Sequence, residues 1–165
     1  MIIKSVDLFA GVGGLRIGLE KALKKLGIKH NCVLYSEINK HCQKTYNDNF
    51  PNTKLIEDIK SIKNIKSEIP NHDILLAGFP CQPFSQAGIS KRNSLKRKNG
   101  FEDKDQGNLF FNILKILNQK KPSIFLLENV QNLINHNKGK TIKIILNLLR
   151  KNYFVPDPKV LDARD

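Results

Sequence analysis

The chain has 165 residues, 40% of them hydrophobic, which suits one globular domain with a core of its own. Its 28 Lys and Arg against 15 Asp and Glu leave a formal net charge of +13, which points to a polyanionic partner, nucleic acid ahead of a membrane surface. No apolar run approaches the roughly 18 residues that span a bilayer, Met1 to Val6 is too short and interrupted for a signal peptide, and the odd set Cys32, Cys42 and Cys81 has no metal-ligand spacing and fits a reducing cytoplasm.

Apolar runs alternate with amphipathic segments along the whole sequence. Ile2 to Phe9 predicts a strand, and Leu15 to Leu26 a helix with Leu15, Leu19, Ala22, Leu23 and Leu26 on its inner face. A second strand follows at Cys32 to Tyr35, then a short helix from Asn39 to Tyr46 that begins at an Asn cap. Lys54 to Ile56 is a third, short strand and Asp73 to Ala77 the fourth. A long irregular stretch runs from about Phe79 to Gln106 before a helix whose residues Leu109, Ile113, Ile116 and Leu117 face inward. Ile124 to Leu127 is the fifth strand, Lys140 to Leu149 a helix with an apolar face at Ile144, Ile145 and Leu148, and Lys159 to Leu161 the start of a sixth strand. Such β-α alternation predicts an α/β fold with a doubly wound, mostly parallel sheet, in one domain over residues 1–165.

Chemistry gathers where the strands end. Asp7-Leu8-Phe9-Ala10-Gly11-Val12-Gly13-Gly14 turns from the first strand into a helix, and glycines there let a backbone approach a ligand at a helix N-terminus. Arg16 stands where a dinucleotide fingerprint would carry its third glycine region, so a nicotinamide site fits poorly. Glu37 ends the second strand, where a carboxylate can accept both hydroxyls of a ribose, and Asp58 follows the third, where one can accept from an adenine amino group. Adenosine without a pyrophosphate needs both acids, although each alone also suits a solvated turn. The fourth strand ends in Gly78-Phe79-Pro80-Cys81-Gln82-Pro83-Phe84-Ser85, where two prolines restrict a loop that presents a thiol. A small buried hydrophobe is the plain alternative for Cys81. Glu128 ends the fifth strand, close to Cys81 in a doubly wound order, and desolvation there favours a protonated carboxyl. Lys91 to Lys98 supplies a basic run for phosphates or simply a solvated face, and the four histidines read as ordinary surface residues.

In this order, the glycine turn, Glu37, Asp58, Gly78-Phe79-Pro80-Cys81-Gln82-x-Phe84-Ser85, Gly107-Asn108-Leu109-Phe110 and Glu128-Asn129-Val130 resemble the cytosine-5 DNA methyltransferase family over the whole chain. The resemblance implies an S-adenosyl-L-methionine-dependent, Rossmann-like fold acting on double-stranded DNA, in bacteria usually within a restriction–modification system. It further implies that Cys81 attacks C6 of a flipped cytosine while Glu128 protonates N3. Phe9 would pack on the adenine, Glu37 hold the ribose and Asp58 the adenine amino group, with Gly11, Gly13, Ile59, Pro80 and Leu109 in the cofactor site. Ile38 stands where many members carry a large aromatic. The later arginine-bearing element, the target recognition domain and the returning C-terminal helix of the family find no counterpart in these residues. A partial catalytic domain is therefore expected, either working with a second polypeptide or surviving as an inactive remnant that binds cofactor or DNA weakly.

Overall fold

A computed structural model describes residues 2–80 and 109–162, which fall into two compact units: Met1–Pro80 with Leu109–Glu128, and a second whose described part is 129–162. The first unit is built on five strands, β1 (Ile2–Leu8), β2 (Lys29–Ser36), β3 (Lys54–Ile56), β4 (Ile74–Gly78) and β5 (Ile124–Glu128). All pair in parallel in the order β3-β2-β1-β4-β5. The chain thus winds outward from β1 to β3, crosses back, and winds outward again through β4 and β5. The reversal lies between β1 and β4, where open sheets of this kind bind ligands beyond the carboxyl ends of their strands. Register brings those ends to one edge: Leu8 pairs Ser36 and Ala77, Ser36 pairs Ile56, and Gly78 pairs Glu128.

The buried centre follows from the strand sequences. Val6, Leu8, Leu34, Tyr35, Leu75, Leu76 and Ala77 are fully or almost fully buried, as continuous apolar runs in a two-sided parallel sheet require. One extra residue in β2 shifts the β1–β2 register between Ser5 and Val6. Helix α1 (Gly14–Lys25) follows β1 and buries Arg16 and Leu23, while the expected inner residue Leu26 lies beyond the last turn and is 70% exposed. Helix α2 (Lys40–Asn49) starts as predicted at Asn39, whose side-chain oxygen accepts from the N–H groups of His41 and Cys42. A 3-10 turn (Ile59–Ser61) and helix α3 (Ile65–Glu68) bridge β3 to β4. Here Asn64 caps Lys66 N–H, and Glu68 reaches back to the N–H groups of Lys63 and Asn64. Helix α4 (Leu109–Lys120) buries Leu109, Phe110, Ile113, Ile116 and Leu117, the face its spacing predicts, at about 1.5–3 kcal/mol for each large side chain.

In the second unit, α5 (Asn132–Asn135) and α6 (Lys140–Leu149) are joined through Gly139, whose φ of 77° starts α6. Thr141, Ile145 and Leu149 are its buried residues, and Ile144, expected on the inner face, is exposed. Arg150 bonds the Val155 carbonyl and the Asp157 carboxylate, tying down the segment after α6. Lys159 to Leu161 form no strand. A lone strand has no ladder to satisfy its backbone, and none of the five described strands pairs with it. Of the histidines only His41 is exposed as expected: His72 is buried, and His30 and His136 are half-buried with bonds to Ser5 and Thr141. Among the described residues no helix is long and apolar enough to cross a membrane, and no cluster of His, Cys, Asp and Glu could hold a metal.

Candidate functional site

The glycine turn leaves β1 at the common carboxyl edge and bends sharply. Phe9 has φ 55°, Gly11 φ 54° and Gly13 φ 93°. An aromatic residue in the left-handed region costs about 1–2 kcal/mol, strain that is kept where a side chain must be aimed. Ala10 N–H bonds Ser36 carbonyl at 3.0 Å and Gly13 N–H bonds Ala10 carbonyl at 2.8 Å, closing the turn. In front of Gly11 a side chain would meet no atom of the described residues within 4 Å, whereas at Gly13 a Cβ would lie 2.6 Å from the Phe50 ring. One glycine therefore has room in front of it among the described residues, and the other admits close packing behind the turn.

Glu37 is the hinge of this arrangement. Its Oε2 accepts from Gly11 N–H and its Oε1 from Asn39 N–H, each at 2.8 Å, while Gln43 Nε2 donates to its backbone carbonyl at 2.6 Å. The carboxylate predicted to hold a ribose is thus fixed to the glycine turn and to the cap of α2, with lone pairs left to accept further donors. Asp58 caps the 3-10 turn through Oδ1, which accepts from Lys60 N–H at 2.9 Å. Its second carboxylate oxygen accepts no hydrogen bond from the described residues. Ile59 and Leu109 are buried, Pro80 is half-buried after β4, and Ile38 is 69% exposed.

On the other side of the edge, Glu128 closes β5 opposite Gly78, and a Cβ at Gly78 would come within 3.3 Å of Glu128 Oε2. Glu128 is exposed, although it ends an apolar run. Cys81, the rest of its loop from Gln82 to Ser85, the basic run at Lys91 to Lys98, and Gly107-Asn108 lie outside the described residues.

Behind the turn lies a cluster that sequence reasoning missed. Arg16 is buried, with its guanidinium 3.9 Å from the Phe50 ring centroid and 5.5 Å from that of Tyr46. It donates to Glu20 at 2.7 Å, Thr53 at 2.9 Å and Tyr46 Oη at 3.2 Å. Tyr46 stacks on Tyr35 with ring centroids 3.9 Å apart and donates to Asp7 Oδ2 at 3.3 Å. Burial pushes the Asp7 carboxyl up to about 7, against the Tyr46 hydrogen bond and the Arg16 charge. Burial likewise pushes the nearby Cys32 thiol up. Only Asp7 and Arg16 stood inside a recognisable motif; Tyr46 and Phe50 lie about 30 residues on and carry no local signal.

Comparison with known proteins bears on the family. The chain is 43% identical to a DNA-cytosine methyltransferase of Escherichia coli K12 over 186 residues, covering 96% of this chain and 38% of that protein. It is 47% identical to the type II methyltransferase M.DsaV of Dactylococcopsis salina and 45% identical to M.HpaII of Haemophilus parainfluenzae, covering 41% of each and at least 97% of itself. It therefore spans about two fifths of the length of these curated relatives. A solved methyltransferase of Entamoeba histolytica, EhMeth, shares the fold with a TM-score of 0.68 at 24% identity, over 92% of this chain and 44% of that one. A family model for C-5 cytosine-specific DNA methylase matches residues 3–165, and the chain belongs to that family.

Proposed function

We propose that this chain is the cofactor-holding and nucleophile-bearing part of a DNA (cytosine-5)-methyltransferase. The observation that carries the reading is the Glu37 carboxylate, held by Gly11 and Asn39 N–H groups beside a glycine turn that has room in front of Gly11 among the described residues. Two carboxylates at consecutive strand ends, with no third glycine for a pyrophosphate, fit S-adenosyl-L-methionine. When bound, that cofactor supplies an electrophilic methyl group. Glu37 accepts from the ribose hydroxyls, Asp58 from the adenine amino group, and Phe9 offers its ring to the base. Gly11 and Gly13 bring the backbone close, while Ile38, Ile59, Pro80 and Leu109 line the site.

At the target base, C6 of cytosine is a poor electrophile until N3 gains a proton. Glu128 donates that proton while the Cys81 thiolate bonds to C6, which leaves C5 as the nucleophilic carbon of the ring. After C5 has been substituted, loss of its proton re-forms the C5–C6 double bond, expels Cys81 and releases the N3 proton. A base within a duplex is out of reach, so it must be extruded at a cost of roughly a few kcal/mol. The net charge of +13 supports the DNA partner that such extrusion requires.

The half-exposed β5, with Ile124 and Leu126 in solvent, supports a further polypeptide packed along that edge, and we assign the expected second chain there. Labelled methyl transfer to duplex DNA tests both claims, measured for the chain alone and with the C-terminal portion of a relative. Transfer is expected with the added portion and is abolished by Cys81→Ala. Transfer that survives Cys81→Ala overturns the covalent step, and no transfer in any combination leaves the inactive-remnant reading.

A further inference from the structure

The buried cluster behind the glycine turn holds one atom that is unsatisfied among the described residues. Asp7 is fully buried, and its Oδ1 finds no hydrogen-bond partner among the described residues. A buried carboxyl in that state is costly whichever way it is protonated. Its surroundings are few. Tyr46 faces it from α2, Arg16 from α1, Cys32 from β2 and Glu37 from the end of β2, while β4 carries no titratable side chain from Ile74 to Gly78. His30 and Glu20 bound the cluster through Ser5 and Arg16. From Asp7 a direct path leads to the turn: Asp7 accepts from Tyr46 Oη, and the Tyr46 and Phe50 rings fill the space where a side chain at Gly13 would lie, 3.2 Å and 2.6 Å from a Cβ built there.

We propose that Asp7, Tyr46 and Arg16 are positioning residues for the glycine turn, and that the charge on Asp7 sets how firmly the turn is held. When Asp7 is ionised it draws the Tyr46 hydroxyl and the Arg16 guanidinium toward it, which fixes the two rings behind Gly13. When it is neutral the charge that draws Tyr46 and Arg16 is gone, and the turn loosens. The claim about cofactor rests on the reading of this turn as an S-adenosyl-L-methionine site: affinity rises as pH passes upward through about 7, where burial places the Asp7 titration. One linked proton limits the change to about tenfold per pH unit.

Two measurements separate this coupling from the cofactor reading. The first needs no ligand: amide resonances of Gly11 and Gly13, followed by NMR from pH 6 to pH 8. They are expected to move with a midpoint near 7 in the native chain, to stay still in Asp7→Asn, and to titrate at higher pH in Tyr46→Phe, which loses the hydrogen bond but keeps the stacked ring. The second is S-adenosylhomocysteine affinity by calorimetry, expected to weaken about three- to tenfold from pH 8 to pH 6 in the native chain and to lose that dependence in Asp7→Asn. Should Asp7→Asn not fold, Tyr46→Phe alone decides. Glycine resonances that ignore pH, or that move alike in every variant, overturn the coupling while leaving the cofactor site in place. Resonances that follow Asp7 with no S-adenosylhomocysteine bound at any pH confirm the coupling and remove the cofactor reading instead.

Discussion

The two flanks of the sheet are finished to different degrees. Around β1 and β2, polar side chains are tied to other parts of the same chain: Glu37 to Gly11 and Asn39, Arg16 to Glu20, Thr53 and Tyr46, and Tyr35 to Asn47. At the far flank β5 alternates between half-buried and exposed, with Ile124 58% and Leu126 51% exposed. The contrast teaches that the β1–β2 side is built from contacts satisfied within the unit, whereas the β5 side presents apolar surface that this unit's described residues leave in solvent. Among the described strands β5 is the last in the sheet order, the position at which a further strand can add.

The same substitution on the two flanks measures the difference. Leu34→Ala in β2, where the side chain is fully buried, is expected to cost about 2–5 kcal/mol in urea denaturation. A milder loss would mean the β1–β2 side is looser than its contacts imply. Next in size is the pH dependence of stability. The folded Asp7 titrates near 7 and the unfolded one near 3.8, so between those values the folded state holds the extra proton. Its contribution is complete below the unfolded value and is lost as pH rises toward 7, on the order of a few kcal/mol. The stability difference between the native chain and Asp7→Asn should therefore shrink or reverse across that window. A difference that stays constant from pH 4 to pH 8 places the proton elsewhere.

Gly13→Ala comes third. A Cβ 2.6 Å from Phe50, at a φ of 93°, combines overpacking with backbone strain, and about 1–3 kcal/mol of lost stability is expected. Pairing it with Phe50→Leu should recover the packing share and leave the backbone share. The smallest effect belongs to β5, where Leu126→Ala should change the stability of this chain by only about 0.5 kcal/mol. It should cost much more once a further polypeptide covers the edge. A large cost in the chain alone removes the contrast between the flanks.

Most of the architecture was readable from pattern alone. Five apolar runs separated by helical periods predict the five parallel strands, and the face of α4 was legible at Ile113, Ile116 and Leu117 because spacings of three and four leave one stripe. The Asn39 cap was equally local. Leu26 and Ile144 were misread because periodicity names a face but not where a helix ends or what covers it. Lys159 to Leu161 read as a strand because a strand is chosen by its neighbours as much as by its residues.

Residue type and order sufficed to determine the family and to single out Cys81, Glu37, Asp58 and Glu128 as candidates, because chemistry of this kind needs particular functional groups at strand ends. Tertiary structure alone decided the state of those groups. It committed Glu37 to Gly11, left Glu128 in solvent against the expectation of burial, and turned Phe9 into the left-handed region. It also gathered Asp7, Arg16, Tyr46 and Phe50 into one buried cluster. Burial and electrostatic coupling depend on residues far apart in the chain, and no local window of sequence contains both partners.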